Sequence, residues 1–131
     1  MAFLLTDRLV KPMKPQEIIY YCLKKDGAYL DFPFGEIPIV VKVCDKIFAE
    51  VYPKSSDYKI TLKCEAVLSE LYRSQYPGVV IHGYHVLNSH KPYWNTVYPA
   101  NGIEESEIYL MLDHSYNEVV KKLKKSKMGE A

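Results

Sequence analysis

The chain has 131 residues, of which 48% are hydrophobic and 25% charged, values typical of one globular domain with a substantial core. Its formal net charge of +1 gives no support for strong non-specific binding of nucleic acid. No apolar run approaches the roughly 20 residues that span a bilayer, and the first residues lack the features of a signal peptide. We therefore predict a single cytoplasmic domain over residues 1–131 with no membrane partner.

The cysteines give no sign of a disulfide framework. Cys22, Cys44 and Cys64 are odd in number, widely spaced and set among apolar neighbours. This pattern favours reduced thiols packed in the core, as expected in the cytoplasm.

Three helices are predicted from apolar residues at helical spacing, over about 15–25, 65–76 and 103–124. In the second helix the expected buried stripe consists of Val67, Leu68, Leu71 and Tyr72. Residues 1–13 are expected to form a lead segment, and residues 125–131 a flexible tail.

Five strands are predicted, at about 39–44, 46–52, 58–63, 79–86 and 93–98. Apolar and polar residues alternate over 58–63, so one face of this strand should be buried and the other should meet solvent. The short connections favour antiparallel pairing. The order α-β3-α-β2-α predicts an α+β fold of two layers, an antiparallel sheet with helices packed on one face.

Residues 29–35 form an aromatic stretch interrupted by Pro33 and Gly35, and we predict a loop there. Its two phenylalanines, Phe32 and Phe34, are expected to be buried in the core.

Metal and catalytic sites are not supported by the sequence. His82, His85 and His90 are close in sequence, but residues three apart on a strand point to opposite faces. Asp113-His114-Ser115 has the composition of a catalytic triad, yet consecutive helical residues point about 100° apart and cannot form a relay. A buried role is more frequent for a thiol such as Cys64 than a nucleophilic one. We predict no metal, no cofactor and no enzymatic activity.

The polar face of the predicted sheet is the candidate binding surface. Lysines can contact phosphates, and Asn and His can read base edges. The proposed DNA-contacting residues are Lys42, Lys59, Lys63, Asn88, His90, Lys91, Trp94 and Asn95, together with Thr61 on the same face. The alternative interpretation is an ordinary solvated sheet face.

Several blocks of the sequence resemble the MmcQ/YjbR family of small bacterial proteins. They include Asp31-Phe32-Pro33-Phe34-Gly35, Gly83-Tyr84-His85, Trp94-Asn95-Thr96-Val97 and Asp113-His114-Ser115-Tyr116, and they run in order across residues 18–122. The resemblance implies a fold similar in outline to type III secretion chaperones and a DNA-binding function through a "double wing" of β-hairpins. It brings no cofactor and no catalytic residue.

The family blocks are expected to be mainly structural. This expectation covers Pro33, Phe34, Gly35, Trp94, Asn95, Thr96, Asp113, His114 and Tyr116. We expect Trp94–Val97 to hold the last strand against the third helix, with Asp113 or His114 as the polar partner.

Three functional hypotheses follow. The first is DNA binding through the sheet face and the 86–98 hairpin. The second is a chaperone-like module that binds another protein through an apolar groove or a sheet edge. The third, an enzyme, requires His85, Asn95 and Asp113 to line one cavity.

Overall fold

A computed structural model describes residues 11–84 and 86–130, with side chains up to Leu123. Residues 1–10 of the expected lead segment lie outside the described part. The elements follow in the order α1 (Pro15–Leu23), β1 (Tyr29–Asp31), β2 (Ile39–Val43), β3 (Lys46–Tyr52), β4 (Lys59–Lys63), α2 (Ala66–Gln75), β5 (Val80–His82), β6 (Trp94–Val97) and α3 (Glu105–Glu130). Short 3₁₀ helices occupy Ser55–Asp57 and Asn88–Tyr93.

The strands form one antiparallel sheet in the order β1-β2-β3-β4-β6-β5. Val51 pairs with Ile60, and Ile60 pairs with Val97, so their side chains line one face of the sheet. This face packs against Ile18 of α1 and Leu112 of α3 in the hydrophobic core. The α+β architecture of a sheet covered by helices is as predicted.

The sequence prediction omits one strand of the sheet, β1. Tyr29–Asp31 was assigned to a loop, but Leu30 pairs with Val41 and makes β1 an edge strand. Three residues are too few to show a period of two, which explains the omission. The burial predicted for the two phenylalanines that follow is wrong, since Phe32 is 51% exposed and Phe34 is 62% exposed.

The buried face of α2 also differs from the prediction. Val67 and Leu71 are exposed, whereas Ser69 is fully buried and Tyr72 packs against the core. The helix therefore places a small residue, Ser69, against the sheet. Cys44 is exposed in the turn between β2 and β3, so only Cys22 and Cys64 are packed thiols as predicted.

Helix α3 is longer than the predicted 103–124, since its backbone is helical from Glu105 to Glu130. Glu105 and Glu107 lie in its first turn, and Lys121 and Lys122 lie further along. Acidic residues at the amino end and basic residues towards the carboxyl end both complement the helix dipole. The flexible tail over 125–131 stays a prediction.

Candidate functional site

Lys59 and Thr61 on the polar face of β4 do not meet solvent. Lys59 is only 2% exposed, and its Nζ lies 2.5 Å from Asp57 Oδ2. The same Nζ lies 4.5 Å from the ring centre of Tyr52 and 4.1 Å from that of Tyr84. The prediction that Lys59 is a solvent-exposed contact for DNA is therefore wrong, because its charge is already enclosed by a carboxylate and two aromatic rings.

Thr61 is covered by the chain that follows β5. The hydroxyls of Thr61 and Thr96 are hydrogen-bonded at 2.7 Å, and both residues are fully buried. The backbone N–H of Tyr84 donates to Thr96 Oγ1 at 2.7 Å. The predicted solvated face is wrong for Thr61 as well, since Thr61 is fully buried and its partner Thr96 is bound by the chain at Tyr84.

Gly83 allows this close approach. A Cβ at Gly83 would lie 2.6 Å from Val86 Cγ2 and 2.9 Å from Trp94 Cβ. A larger residue has no room there, because non-bonded carbon atoms settle about 3.5–4.0 Å apart. The family block around Gly83 therefore has a packing role.

The other predicted contact residues are separated by the fold. Lys42 forms an ion pair with Asp31 at 2.7 Å, and this carboxylate raises the pKa of Lys42. Asn88 and His90 are exposed on the 3₁₀ helix, and Lys91 is half-buried there. Lys63 and Trp94 line a common cavity, as described below.

Asn95 is buried, with 3% of its surface exposed, and it binds α2 rather than α3. Arg73 Nη1 donates to Asn95 Oδ1 at 2.7 Å, and Asn95 Nδ2 donates to the Ser69 carbonyl at 3.2 Å. The predicted contact of Asn95 with DNA is therefore wrong. The expected polar partner on α3 is also wrong, because β6 is fixed by α2.

Three consecutive residues of α3 bind three different elements. Asp113 accepts a hydrogen bond from Tyr21 Oη at 2.6 Å and pairs with Lys25. His114 Nε2 accepts from the Glu65 backbone N–H at the start of α2, at 3.0 Å. Ser115 Oγ donates to the Phe48 carbonyl at 2.5 Å and accepts from the Lys63 N–H at 2.9 Å.

These contacts assign a structural role to the family block 113–116. Burial tends to raise the pKa of Asp113, but the hydrogen bonds from Lys25 and Tyr21 outweigh it and hold the pKa below its usual value. Tyr116 Oη donates to the Asp26 carbonyl at 2.6 Å, and its ring packs against Phe48. The side chains of Asn95 and Asp113 bind different helices, and His85 lies outside the described residues.

A cavity of about 520 Å³ opens where the β2–β3 turn meets the carboxyl half of α3. We call it the lysine cavity, and it is lined by Asp45, Lys46, Ile47, Lys63, Trp94, Val119, Lys122 and Leu123. Among the described residues, none of its three lysines has a carboxylate within ion-pair distance. Asp45 Oδ1 accepts instead from Tyr29 Oη at 2.8 Å.

The lysines of this cavity are held close to aromatic rings and to one another. Lys63 Nζ lies 5.8 Å from the Trp94 ring, and Lys122 Nζ lies 5.8 Å from the Tyr93 ring. Burial and the nearby positive charge of Lys122 lower the pKa of Lys63, and the carboxylate of Glu118 offsets part of this effect. Two ammonium groups at one cavity, neither of them in an ion pair with a carboxylate of the described residues, favour an anionic ligand.

Sequence reasoning identified Lys63 and Trp94 but missed Lys46 and Lys122. The lysines near the carboxyl end of the predicted third helix complement the helix dipole, and Lys46 falls at the start of a predicted strand, so neither position by itself indicates a binding site. A signal is present only for Lys122, which lies in a run of lysines, whereas Lys46 is an isolated lysine beside Asp45.

A second concave region lies on the sheet face opposite the helices. Glu50 lines two cavities there, of about 210 and 370 Å³, which we call the Glu50 groove. The residues lining the groove besides Glu50 are Phe34, Ile37, Pro38, Ile47, Tyr52, Tyr84, Val86, Leu87, His90 and Trp94. Burial raises the pKa of Glu50, and Tyr52 Oη donates a hydrogen bond to it at 3.4 Å.

Within residues 11–84 and 86–130, no three His, Cys, Asp or Glu side chains are placed to hold a metal ion. Over the same part of the chain, no helix is long and apolar enough to cross a membrane.

Two crystal structures resemble this fold. A Deinococcus radiodurans protein with a DUF419 domain superposes with a TM-score of 0.75 at 24% identity, covering 83% of this chain and 80% of that one. A Pseudomonas syringae protein superposes with a TM-score of 0.62 at 25% identity, covering 79% and 96%. The antiparallel sheet with helices on one face is thus shared with known structures.

Sequence comparison gives the family. The uncharacterised protein YjbR of Escherichia coli K12 is 32% identical over 115 residues, which cover 88% of this chain and 94% of that protein. YjbR of E. coli O157:H7 has the same identity and coverage. The family model of YjbR matches residues 23–118, in agreement with the resemblance found in the sequence. The chain belongs to the YjbR family.

Proposed function

We propose that this protein binds DNA through its basic end, the surface formed by Lys46, Lys63 and Lys122 around Trp94. The observation that carries the proposal is the set of lysines without carboxylate partners that line the lysine cavity. Lysines that are free of internal ion pairs are available for phosphates, which contribute most of the affinity in many complexes.

The charge distribution supports this location better than the sheet face. The net charge is only +1, but Glu104, Glu105 and Glu107 are placed at the start of α3, far along the helix from Lys121 and Lys122. A chain of nearly zero net charge can present a basic surface when its charges are separated in this way. We propose a binding function rather than a catalytic one, since the candidate residues Asn95 and Asp113 are occupied by structural hydrogen bonds.

The test is titration of a labelled duplex at several salt concentrations. We expect the logarithm of the affinity to fall linearly with the logarithm of the salt concentration. The double variant Lys46→Glu, Lys122→Glu should bind at least about tenfold more weakly and should reduce the salt slope by about 2, because two phosphate contacts are lost.

The matched control is Lys14→Glu, Lys54→Glu, which changes the net charge equally. Lys14 and Lys54 are exposed and lie outside the cavities described above, and Lys54 follows the end of β3 opposite to Lys46. Equal losses for both double variants would show that only the overall charge matters. Absence of binding to both duplex and single-stranded DNA at low salt would exclude the proposal. Lys59 variants are unsuitable, because a buried carboxylate in place of Lys59 would unfold the protein.

A second candidate function is binding of a peptide in the Glu50 groove. Large apolar side chains are exposed beside it, with Phe34 62% exposed and Leu87 70% exposed. Exposed apolar residues around a concave surface are typical of protein interaction sites. The half-buried carboxylate of Glu50 favours a peptide with one basic side chain between apolar residues.

This candidate is tested with a labelled apolar peptide that carries a single lysine and with the same peptide carrying glutamine instead. The lysine peptide should bind more tightly, and Glu50→Gln should remove the difference. Equal binding of both peptides would contradict the role of Glu50.

A further inference from the structure

The lysine cavity has walls of two chemical kinds. Its apolar lining residues, which we call the floor, are Ile47, Val119, Leu123 and Trp94. Its charged residues are Lys46, Lys63 and Lys122 and one carboxylate, Asp45, which accepts a hydrogen bond from Tyr29. A volume of about 520 Å³ lies within the range of pockets for small ligands.

A site for inorganic phosphate alone would not need the apolar residues of the floor. Inorganic phosphate requires hydrogen-bond donors and positive charge, whereas an aromatic and aliphatic wall gains free energy by covering a flat or apolar group. The combination of a ring-lined floor with unpaired ammonium groups matches a ligand that has both a planar ring and an anion.

We propose that the lysine cavity binds one nucleotide unit, with its base against Trp94 and the apolar floor and its phosphate between Lys63 and Lys122. The inference deepens the proposed DNA binding, on which it rests, by naming an unpaired nucleotide as the ligand. The unit can come from a free mononucleotide or from an unpaired position of a strand. A base inside a duplex is stacked and cannot enter such a cavity, so single strands should bind more tightly than duplexes.

Trp94 provides a direct measurement, because it is the only tryptophan of the chain and lines the cavity. Its fluorescence would be titrated with thymidine 5′-monophosphate, thymidine, inorganic phosphate, a short oligothymidylate and a duplex of equal length. We expect saturable quenching by the monophosphate and the oligothymidylate. Thymidine and phosphate should each bind at least about tenfold more weakly, because each supplies one half of the interaction.

The variants Lys63→Gln and Lys122→Gln should each weaken binding of the monophosphate by about tenfold, as expected for loss of a charge-assisted contact. The control Lys54→Gln, at the opposite end of β3, should leave it unchanged. Urea unfolding of each variant confirms that the fold is retained, and Lys63→Arg, which keeps the charge, should restore part of the affinity.

The outcomes separate this inference from the proposed function. Salt-dependent duplex binding with no preference for single strands and no quenching by the monophosphate overturns the inference alone. Phosphate binding as tight as that of the monophosphate also overturns it, since the ring would then contribute nothing. Absence of binding to every nucleic acid and to the monophosphate overturns both.

Discussion

The backbone N–H of Tyr84 donates a hydrogen bond to Thr96 Oγ1 at 2.7 Å, and this contact ties the chain at Gly83 and Tyr84 to the polar face of the sheet. The same hydroxyl is 2.7 Å from that of Thr61. The part of the face around Lys59 and Thr61, which alternation predicts to be solvated, is thereby buried. For this reason we place an anionic partner at the basic end rather than over Lys59 and Thr61.

Replacement of Thr96 by valine should destabilise the protein by about 1–3 kcal/mol, because the Tyr84 N–H and the Thr61 hydroxyl lose a buried partner. Urea unfolding measures the change. The double variant Thr61→Val, Thr96→Val should cost less than the sum of the two single variants, since it removes both hydroxyls of the pair. Strict additivity would contradict the pairing.

Gly83→Ala should destabilise the protein by roughly 1–3 kcal/mol, as is usual when a packed site receives an extra methyl group. The new Cβ would lie 2.9 Å from Trp94 Cβ, so the emission of this single tryptophan should also shift. In the Gly83→Ala protein, the further change Val86→Ala removes the close contact with Val86 but not the one with Trp94. It should therefore restore only part of the lost stability. An unchanged Gly83→Ala protein would show that Gly83 does not pack against Trp94 of β6 as described.

Glu50→Gln should stabilise the protein at neutral pH by roughly 0.5–1 kcal/mol, within the range of single stabilising substitutions. Burial raises the pKa of Glu50 above 4.5, so the folded protein prefers the protonated acid and the charged form costs stability. This cost appears as the pH rises through the raised pKa and is absent well below pH 4.5. Unfolding curves of both proteins at several pH values test this. If Glu50→Gln were still more stable than the unchanged protein at low pH, the buried charge of Glu50 would not be the cause of the difference.

Asp113→Asn should destabilise the protein by about 1 kcal/mol at neutral pH. This value is the upper range for an ion pair that still contacts solvent. Because the hydrogen bonds from Lys25 and Tyr21 hold the pKa of Asp113 below 3.8, its stabilising effect is present above pH 3.8 and is lost as the pH falls through the lowered value. The difference between the two proteins should therefore vanish in acid. Lys121→Gln, which removes an exposed pair at 3.7 Å, is the control and should change stability by less than about 0.5 kcal/mol.

The sequence predicts a helix or strand well where the element is long enough to show a clear period. The strands over 39–52 and the helix α3 have clear periods and strong boundaries, and the predictions for them agree with the structure apart from the end of α3. β1 has three residues and no period, and it forms because β2 offers an unpaired edge. Tertiary pairing of this kind leaves no local trace in the sequence.

The candidate site could be predicted only in part. Alternation correctly showed that Lys59 and Thr61 point away from the helix face, but alternation cannot show that a later segment covers them. The lysine cavity combines residues from the β2–β3 turn, β4, β6 and α3. Its existence depends on how α3 is attached to the sheet and to the other helices, and the residues that receive these attachments lie far from α3 in the sequence.

Asp113, His114 and Ser115 bind α1, the start of α2 and the sheet, respectively, from consecutive positions of α3. Since successive helical residues are separated by about 100°, a rotation of α3 by a single residue would break all three attachments at once. These contacts therefore fix the rotation of α3 about its own axis. Lys122 lies about two turns further along the helix, and the same rotation places it at the lysine cavity. The block 113–115 thus positions a charge that it does not contact.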